Sequence, residues 1–339
     1  MNTVLNKHKL KPSKDFNIKN LTDEKLHKKR PINTQLVVFL AAVAMWIFLS
    51  FASNYFFTYG NIANLMNQMA VKGVIGVGVA VVIITGGIDL SIGSLIGVVN
   101  VVVAMLITQA GLPLPVAIFL VLILSLIVGL INGILVFDFK LPPFIATLGM
   151  MIVLRGLALL ISNGMNISGL PMSIASFSDG SFIFLPNLFW ILVITTLVIE
   201  LVLRRTNFGR YVYALGSNSE AARLSGINTR GVIYGSYMIC GLLSGVAGIM
   251  VTARTWQGSP AAGNTFELDA IACAVLGGAS LMGAEGNAIG AFIGAMVMAT
   301  IYNGCNLLGV DSNYTKVIVG SILIATVAID QFRKRRAGK

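Results

Sequence analysis

The sequence predicts an all-α integral membrane protein with about ten transmembrane helices, some of them short or broken, and with both termini in the cytoplasm. Hydrophobic residues make up 56% of the 339 residues, the mean hydropathy is +0.85, and 11% of the residues are charged. Soluble domains carry about 25% charged residues, so this composition is typical of a chain that lies mostly in lipid. Nineteen of the 24 basic residues fall in three short polar segments, which is the pattern of cytoplasmic loops and tails.

Apolar stretches long enough to cross a bilayer follow one another along most of the chain. A span needs roughly 20 mostly apolar residues. We expect spans near residues 35–53, 69–86, 90–109, 114–136, 144–162, 187–203, 231–252, 269–284, 287–308 and 315–331. The second and third are one long run divided at Gly86-Gly87, and the eighth is similarly short and ends in Gly277-Gly278. All nine prolines lie outside these spans or in a first turn, where proline does not interrupt a helix, which supports the division.

The charge distribution orients the spans. Residues 1–34 hold nine Lys and Arg, residues 204–230 hold five, and residues 333–339 hold five, whereas residues 163–186 hold none. Counting crossings from a cytoplasmic N-terminus places all three basic segments inside, where anionic lipid headgroups also favour them. Nucleic acid is not an expected partner, because no aromatic and basic platform accompanies the charge. The expected divisions are a basic cytoplasmic tail at 1–34, a transmembrane domain at 35–331 with a cytoplasmic segment at 204–230, and a basic cytoplasmic C-terminus at 332–339.

A carboxylate, Asp89, lies within about forty otherwise apolar residues, just after the helix break at Gly86-Gly87. An ionisable side chain in hydrocarbon costs roughly 3 kcal/mol or more unless it faces protein or water. Broken backbone is tolerated in a membrane only where it is buried or lines a cavity. The two features together predict a polar path through the membrane domain. The alternative is that Asp89 N-caps the following helix, and both roles are compatible.

A second charge, Arg155, is expected midway along the fifth span. A buried arginine usually pairs with a carboxylate or with helix-end carbonyls, and Asp89 is the nearest plausible partner in kind. The alternative is that Arg155 extends to one membrane surface. No metal site is expected, since His8 and His27 lie in the N-terminal tail and the three cysteines are scattered in apolar segments.

The cytoplasmic segment 204–230 contains a short helix signal. Ser217 followed by Glu220 is a capping-box pattern, and Gly226 is a suitable C-terminal stop. The predicted helix, Asn218 to Ser225, is too short to be stable alone and must rest against something. It is either a surface helix on the ends of its own bundle or a docking surface for a cytoplasmic partner.

Several stretches of this chain are similar to one known family. They are Thr-Gly-Gly-Ile-Asp-Leu-Ser (85–91), Pro-Phe-Ile-Ala-Thr-Leu-Gly-Met-Met (143–151), Ala-Leu-Gly-Ser-Asn-Ser-Glu-Ala-Ala-Arg-Leu-Ser-Gly-Ile-Asn (214–228), Glu-Leu-Asp-Ala-Ile-Ala (267–272) and Asn-Gly-Cys-Asn-Leu-Leu-Gly-Val (303–310). In this order they resemble the permease subunit of ribose-type ABC sugar importers, over residues 35 to 331. The resemblance is specific for the family and much less so for the sugar.

The resemblance implies that residues 35–331 form a permease domain in a two-copy membrane pore, with a second copy of the chain or a close homologue. It also implies a cytoplasmic ATPase with paired nucleotide domains and an extracytoplasmic sugar-binding protein, in a bacterial inner membrane. The segment at 214–228 then corresponds to the coupling helix. The coupling residues are expected to be Ser217, Asn218, Glu220, Ala221, Arg223 and Gly226. ATP and magnesium are expected on the ATPase and no cofactor on this chain, which lacks a G-x-x-x-x-G-K-[ST] phosphate loop and is not expected to be an enzyme.

A monosaccharide is uncharged and rich in hydroxyls, so its path needs scattered hydrogen-bonding groups rather than a charged clamp. Helix breaks and polar side chains inside the spans are the candidates. They are Gly86, Gly87, Asp89, Ser91, Ser94, Thr147, Arg155, Asn303 and Asn306.

Two other functions stay open at this point. A proton-coupled secondary transporter could use Asp89 as its titrating group, with the break at Gly86-Gly87 forming a discontinuous helix. Within the importers, a permease for nucleosides or branched-chain amino acids shares the overall plan. The sequence does not indicate which sugar is carried.

Overall fold

The computed structural model describes residues 34–336, and the predicted tail at 1–34 lies outside that range except for Thr34. The described chain is almost entirely helical. Its helices are α1 (Thr34–Ala52), α2 (Tyr59–Ile84), α3 (Ile92–Thr108), α4 (Leu114–Phe137), α5 (Pro143–Ile161), α6 (Met172–Asp179), α7 (Asn187–Arg205), α8 (Asn207–Ser217), α9 (Ser219–Leu224), α10 (Thr229–Thr255), α11 (Phe266–Leu276), α12 (Ala288–Leu307) and α13 (Ser312–Arg336). One antiparallel hairpin, β1 (Ser181–Phe182) with β2 (Leu185–Pro186), lies between α6 and α7.

Within the described residues, seven helices are long and apolar enough to cross a membrane: α1 from Gln35, α2, α4, α5, α7, α10 and α12. Two shorter apolar stretches, α3 and Ser312–Ala328 of α13, accompany them. The predicted membrane-spanning class is therefore confirmed, while the count of ten spans and the cytoplasmic placement of the termini stay predictions.

The centre of the bundle is α2, which is buried at every position from Met69 to Ile84 except Lys72, which is partly buried. Helices α7, α10, α11 and α12 pack around it, and α4 packs along α10 on one side. Large apolar side chains point outward from the peripheral helices, such as Phe51 of α1 at 87% exposed and Leu160 of α5 at 75% exposed. An apolar face on the outside and an apolar core inside are what a lipid-embedded bundle requires.

Two predicted span boundaries were wrong. The second helix begins at Tyr59 rather than near residue 69, with the Thr58 hydroxyl accepting a hydrogen bond from the Asn61 amide at its start. The eighth span, predicted over 269–284, ends as a helix at Leu276, because Gly278 turns the chain with a φ of 95°. Residues 277–287 form a compact turn that leads into α12.

Candidate functional site

The segment between α7 and α10 forms two consecutive short helices, α8 and α9. The Thr206 hydroxyl accepts from the Gly209 amide to start α8, and Oδ1 of Asn218 accepts from the Ala221 amide at 2.9 Å to start α9. The predicted capping box was therefore placed one residue too early: Ser217 is the last residue of α8, and Asn218 is the cap. Gly226 follows the end of α9 with a φ of 79°, as its predicted role as a stop requires.

The outer face of helix α9 exposes two charged side chains and one apolar side chain. Two hydrogen bonds, of 3.1 and 2.6 Å, join Arg223 to the Glu220 carboxylate, and both side chains are nearly two-thirds exposed. These bonds lower the pKa of Glu220 and raise the pKa of Arg223, so both groups stay charged at neutral pH. Leu224 is 74% exposed, whereas Ala222 is buried. The helix thus rests on the bundle through one small residue and leaves its charged and apolar side chains available for a partner.

The helix break at Gly86-Gly87 and the turn at 277–287, which begins with Gly277-Gly278, meet at the end of α8. The amide of Ala284, in the turn after α11, donates to the carbonyl of Ile84, the last residue of α2, at 2.9 Å. Gly216 lies against both of these groups, so close that a Cβ at this position would overlap the Ile84 carbonyl oxygen. The Tyr213 hydroxyl of α8 donates to the Gly286 carbonyl at 2.8 Å. Helix α8 of the predicted coupling segment is therefore in direct contact with the end of α2 and with the turn after α11.

Replacing Gly216 with alanine is expected to open this junction, because the added methyl group meets backbone atoms that cannot rotate away. Overpacking of this kind costs about 1–3 kcal/mol. Gly149→Ala is the matched control, since a Cβ there meets no atom within 4 Å. Thermal unfolding of both variants in detergent measures the difference; equal midpoints would show that Gly216 is not a required close contact.

Asp89 is 1% exposed and lies in the loop between α2 and α3. The Ser91 amide and hydroxyl both donate to its Oδ1, at 2.9 and 2.7 Å, and the Asn132 amide of α4 donates to the Ser91 hydroxyl oxygen at 2.8 Å. Ser91, not Asp89, occupies the N-cap position of α3. Asp89 accepts hydrogen bonds from this cap residue and not from the amides of the first turn. The Tyr237 hydroxyl of α10 donates to the Ile88 carbonyl at 3.2 Å. Asp89 therefore fixes the broken segment, which is held by α4 and α10.

Arg155 does not pair with Asp89. Its Nη1 donates to the carbonyls of Pro260 and Ala262, at 2.7 and 3.1 Å, in the loop before α11. Its hydrogen bonds are therefore to backbone carbonyls, one of the two partner types considered, and the Glu267 carboxylate lies near enough to attract the guanidinium electrostatically. A cavity of about 390 Å³ lies beside this contact and is lined by Arg155, Ser94 and Glu267.

Because Asp89 and Arg155 bind different partners, their substitutions are expected to act independently. The losses of stability in Asp89→Asn and Arg155→Met should add in the double variant, whereas a direct pair would make the double variant less damaged than the sum. Thermal midpoints of the two single variants and the double variant supply the comparison. A coupling energy above about 0.5 kcal/mol would contradict the observed partners.

An ion pair that sequence reasoning missed lies deep between α2, α11 and α12. Nζ of Lys72 is 2.9 Å from Oδ2 of Asp269, with side chains 12% and 7% exposed. The Tyr302 hydroxyl donates to the other oxygen of Asp269 at 2.9 Å, and the Lys72 ammonium lies 3.2 Å from the centre of the Tyr302 ring. Lys72 is one of only two charged residues between residues 69 and 109, which was the available signal, but its partner lies 197 residues further along the chain.

The two predicted asparagines of α12 have different surroundings. Asn303 is buried and exchanges two side-chain hydrogen bonds with Asn61 of α2, at 3.1 and 2.7 Å. Asn306 is exposed and lines a cavity of about 360 Å³ together with Lys72 and Asp269. The structure thus brings Asn306, Lys72 and Asp269 to one cavity, and Ser94 and Arg155 to another. In the part of the chain that the structure describes, no three His, Cys, Asp or Glu side chains lie together as metal ligands would.

Comparison with known proteins identifies the class. Residues 61–327 match the family described as the branched-chain amino acid transport system / permease component. The chain therefore belongs to this family of permease components, and with its seven candidate spans it is a multi-pass protein of the cell membrane.

Curated relatives resemble the chain over most of its length. The ribose import permease protein RbsC of Escherichia coli (strain K12) is 38% identical over 278 residues, which is 79% of this chain and 84% of the relative. RbsC of Bacillus subtilis (strain 168) is 39% identical over 275 residues, 78% and 83% of the two chains. The xylose transport system permease protein XylH of Escherichia coli (strain K12) is 33% identical over 338 residues, 81% and 86% of the two chains. No solved structure matches the chain.

Proposed function

We propose that this chain is the membrane-spanning permease subunit of an ABC importer. In this proposal it translocates a ribose-like monosaccharide that an extracytoplasmic binding protein delivers, and a separate ATPase subunit supplies the energy. Two copies of the chain, or one copy with a close homologue, form the pore in a bacterial inner membrane with the termini in the cytoplasm. ATP and magnesium bind the ATPase, and this chain needs no cofactor of its own.

The observation that carries the proposal is the contact between the segment 204–230 and the two helix breaks. A transporter driven by an external motor needs an exposed docking element that is mechanically joined to the helices lining its path. Helix α9 supplies exposed groups for docking in Glu220, Arg223 and Leu224. Its neighbour α8 touches the ends of α2 and of the turn after α11 through Gly216 and Tyr213. A movement of the docked segment would therefore reach both discontinuous helices directly.

A sugar as the substrate is supported by the relatives named for ribose and xylose, which cover most of the chain. The family as a whole is described by branched-chain amino acids, so an amino-acid substrate is the second candidate. Uptake assays with ribose, xylose, leucine and valine distinguish a sugar substrate from an amino-acid substrate. A site whose polar groups bind sugar hydroxyls would leave those groups without hydrogen bonds when leucine or valine occupies it, so it should reject both amino acids.

Purification of the tagged chain from its native membrane tests the partners. We expect a stoichiometric ATPase with two nucleotide domains to accompany the wild-type chain. A chain that purifies alone and takes up solute by itself when a pH gradient is applied would contradict the proposal and favour a proton-coupled carrier.

A further inference from the structure

We propose that the cavity between α2, α11 and α12 is a binding site for the transported monosaccharide within the permease itself, formed by Lys72, Asp269, Tyr302, Asn306, Gln68 and Phe266. The inference rests on the proposed function and deepens it, since it gives the permease its own sugar contacts in addition to those of the delivering protein. We refer to this cavity as the inlet.

The position of the inlet is the first support. Lys72 lies twelve residues before Ile84 on α2, which is about 18 Å along the helix at 1.5 Å per residue. Asn306 lies eighteen residues after Ala288 on α12, or about 27 Å from the helix start. The inlet therefore runs from the loop after α12 to the middle of the bundle. It lies at the opposite end of these helices from the contact with α8.

The volume is suited to a small ligand. The cavity measures about 360 Å³, and a second cavity of about 300 Å³ adjoins it and shares Gln68, Lys72 and Phe266. Ligand pockets for small molecules start at about 300 Å³. The volume of the inlet is therefore sufficient for a pentose or a hexose.

The chemistry of the lining is that of polyol recognition. Asp269 uses one oxygen for Lys72 and one for Tyr302, yet an ionised carboxylate has about four acceptor sites, which leaves capacity for sugar hydroxyls. The Lys72 ammonium has three donors, one of which the ion pair uses. The amides of Asn306 and Gln68 supply further donors and acceptors, and the Phe266 ring supplies an apolar wall. The exposed Lys316 also lines the cavity, and apart from it and the ion pair the polar groups of the lining are neutral, which suits an uncharged sugar rich in hydroxyls.

Burying the ion pair between Lys72 and Asp269 costs desolvation free energy, and packing alone does not explain why the pair is present. Two desolvated charges in the middle of a membrane bundle are often no more stabilising than apolar residues of similar volume. Their place at the inner end of an open polar cavity is consistent with a role in binding.

The test is protection of an introduced cysteine by sugar, in the intact transporter in native membrane vesicles. Ser312 lines the inlet and is exposed, so Ser312→Cys in a Cys305→Ser background places a reactive thiol at its rim with little change of shape. Cys240 and Cys273 are buried and should not react. Ribose is expected to slow maleimide labelling at this thiol at least threefold. Asn313→Cys in the same background is exposed, does not line the inlet and is expected to label at the same rate with and without ribose.

A second variant distinguishes ribose binding in the inlet from a change in the access of maleimide to the introduced thiol. Tyr302→Phe removes the hydroxyl that orients Asp269 and should raise the ribose concentration for half protection about fivefold, the effect of one lost hydrogen bond. Tyr314→Phe, which removes an exposed hydroxyl, should leave it unchanged.

The outcomes separate the inlet from the proposed function. Ribose uptake by the complex with no ribose protection at Ser312→Cys would overturn the sugar site and leave the permease function intact. Protection by leucine but not by ribose or xylose would overturn both the sugar site and the sugar-import proposal. Protection by ribose that Tyr302→Phe weakens supports the inlet as a sugar site.

Discussion

Replacing Lys72 with methionine is expected to destabilise the folded chain by about 3–5 kcal/mol, because it leaves the carboxylate of Asp269 buried without its cation. The Tyr302 hydroxyl remains as a hydrogen-bond donor to Asp269, but it does not compensate the charge. The measurement is the thermal midpoint of the purified protein in detergent, together with the yield of monodisperse protein. Lys140→Met is the matched control, since Lys140 is exposed and is expected to tolerate the change.

The double variant Lys72→Met with Asp269→Leu makes this prediction specific. Removing both charges also removes the uncompensated charge, so the double variant should recover most of the stability lost in the single one. A double variant as unstable as Lys72→Met would show that the damage comes from lost packing or from another contact. Because the sugar-site proposal concerns binding, we also expect the double variant to lose ribose protection of the introduced cysteine in the inlet even where its stability is restored.

Replacing Glu220 and Arg223 together with alanine is expected to reduce uptake at least tenfold while leaving the stability of the chain within about 0.5 kcal/mol of wild type. The pair is exposed and is joined only within α9, and exposed ion pairs of this kind contribute little to stability. Their loss removes exposed charges from the face that we propose docks the ATPase. The measurements are ATP-driven uptake, co-purification of the ATPase and the thermal midpoint.

Two results distinguish docking from folding in this double alanine variant. Reduced uptake with an unchanged midpoint and a lost ATPase places the effect at the docking surface. Normal uptake in the variant would remove Glu220 and Arg223 from the coupling role. Arg210→Ala, which changes an exposed charge on the neighbouring helix α8, is the control for a general effect of net charge on this side of the bundle.

Local features of the fold could be predicted from the sequence because local chemistry determines them. The break at Gly86-Gly87 and the stop at Gly226 follow from residues that tolerate a positive φ, which Gly86 and Gly226 adopt. The start of α2 could not be predicted in the same way. Its first turns contain polar residues that read as a loop, and distant partners satisfy two of them: Asn61 binds Asn303, and Asn64 accepts from Arg254.

In the candidate site, too, features formed by neighbouring residues could be predicted and features formed by distant helices could not. The short helix α9 lies within a few consecutive residues, so local spacing predicted it, although its cap was placed one residue too early. The pairing of Lys72 with Asp269 and the carbonyl partners of Arg155 depend on how distant helices pack, and a single sequence gives no information on which buried charge meets which partner. Asp89 was the most conspicuous carboxylate in the sequence, yet its bonds are to Ser91 two residues away.

The most direct test of the central claim is the energy source of uptake. Proteoliposomes would contain the chain with its co-purified ATPase and would be supplied with the binding protein and labelled ribose. We predict that uptake requires ATP on the side of residues 204–230, continues when a protonophore removes the pH gradient, and stops when the ATPase is omitted. Uptake by the chain alone that follows the pH gradient, and that Asp89→Asn abolishes, would contradict the importer function and assign the protein to the proton-coupled carriers.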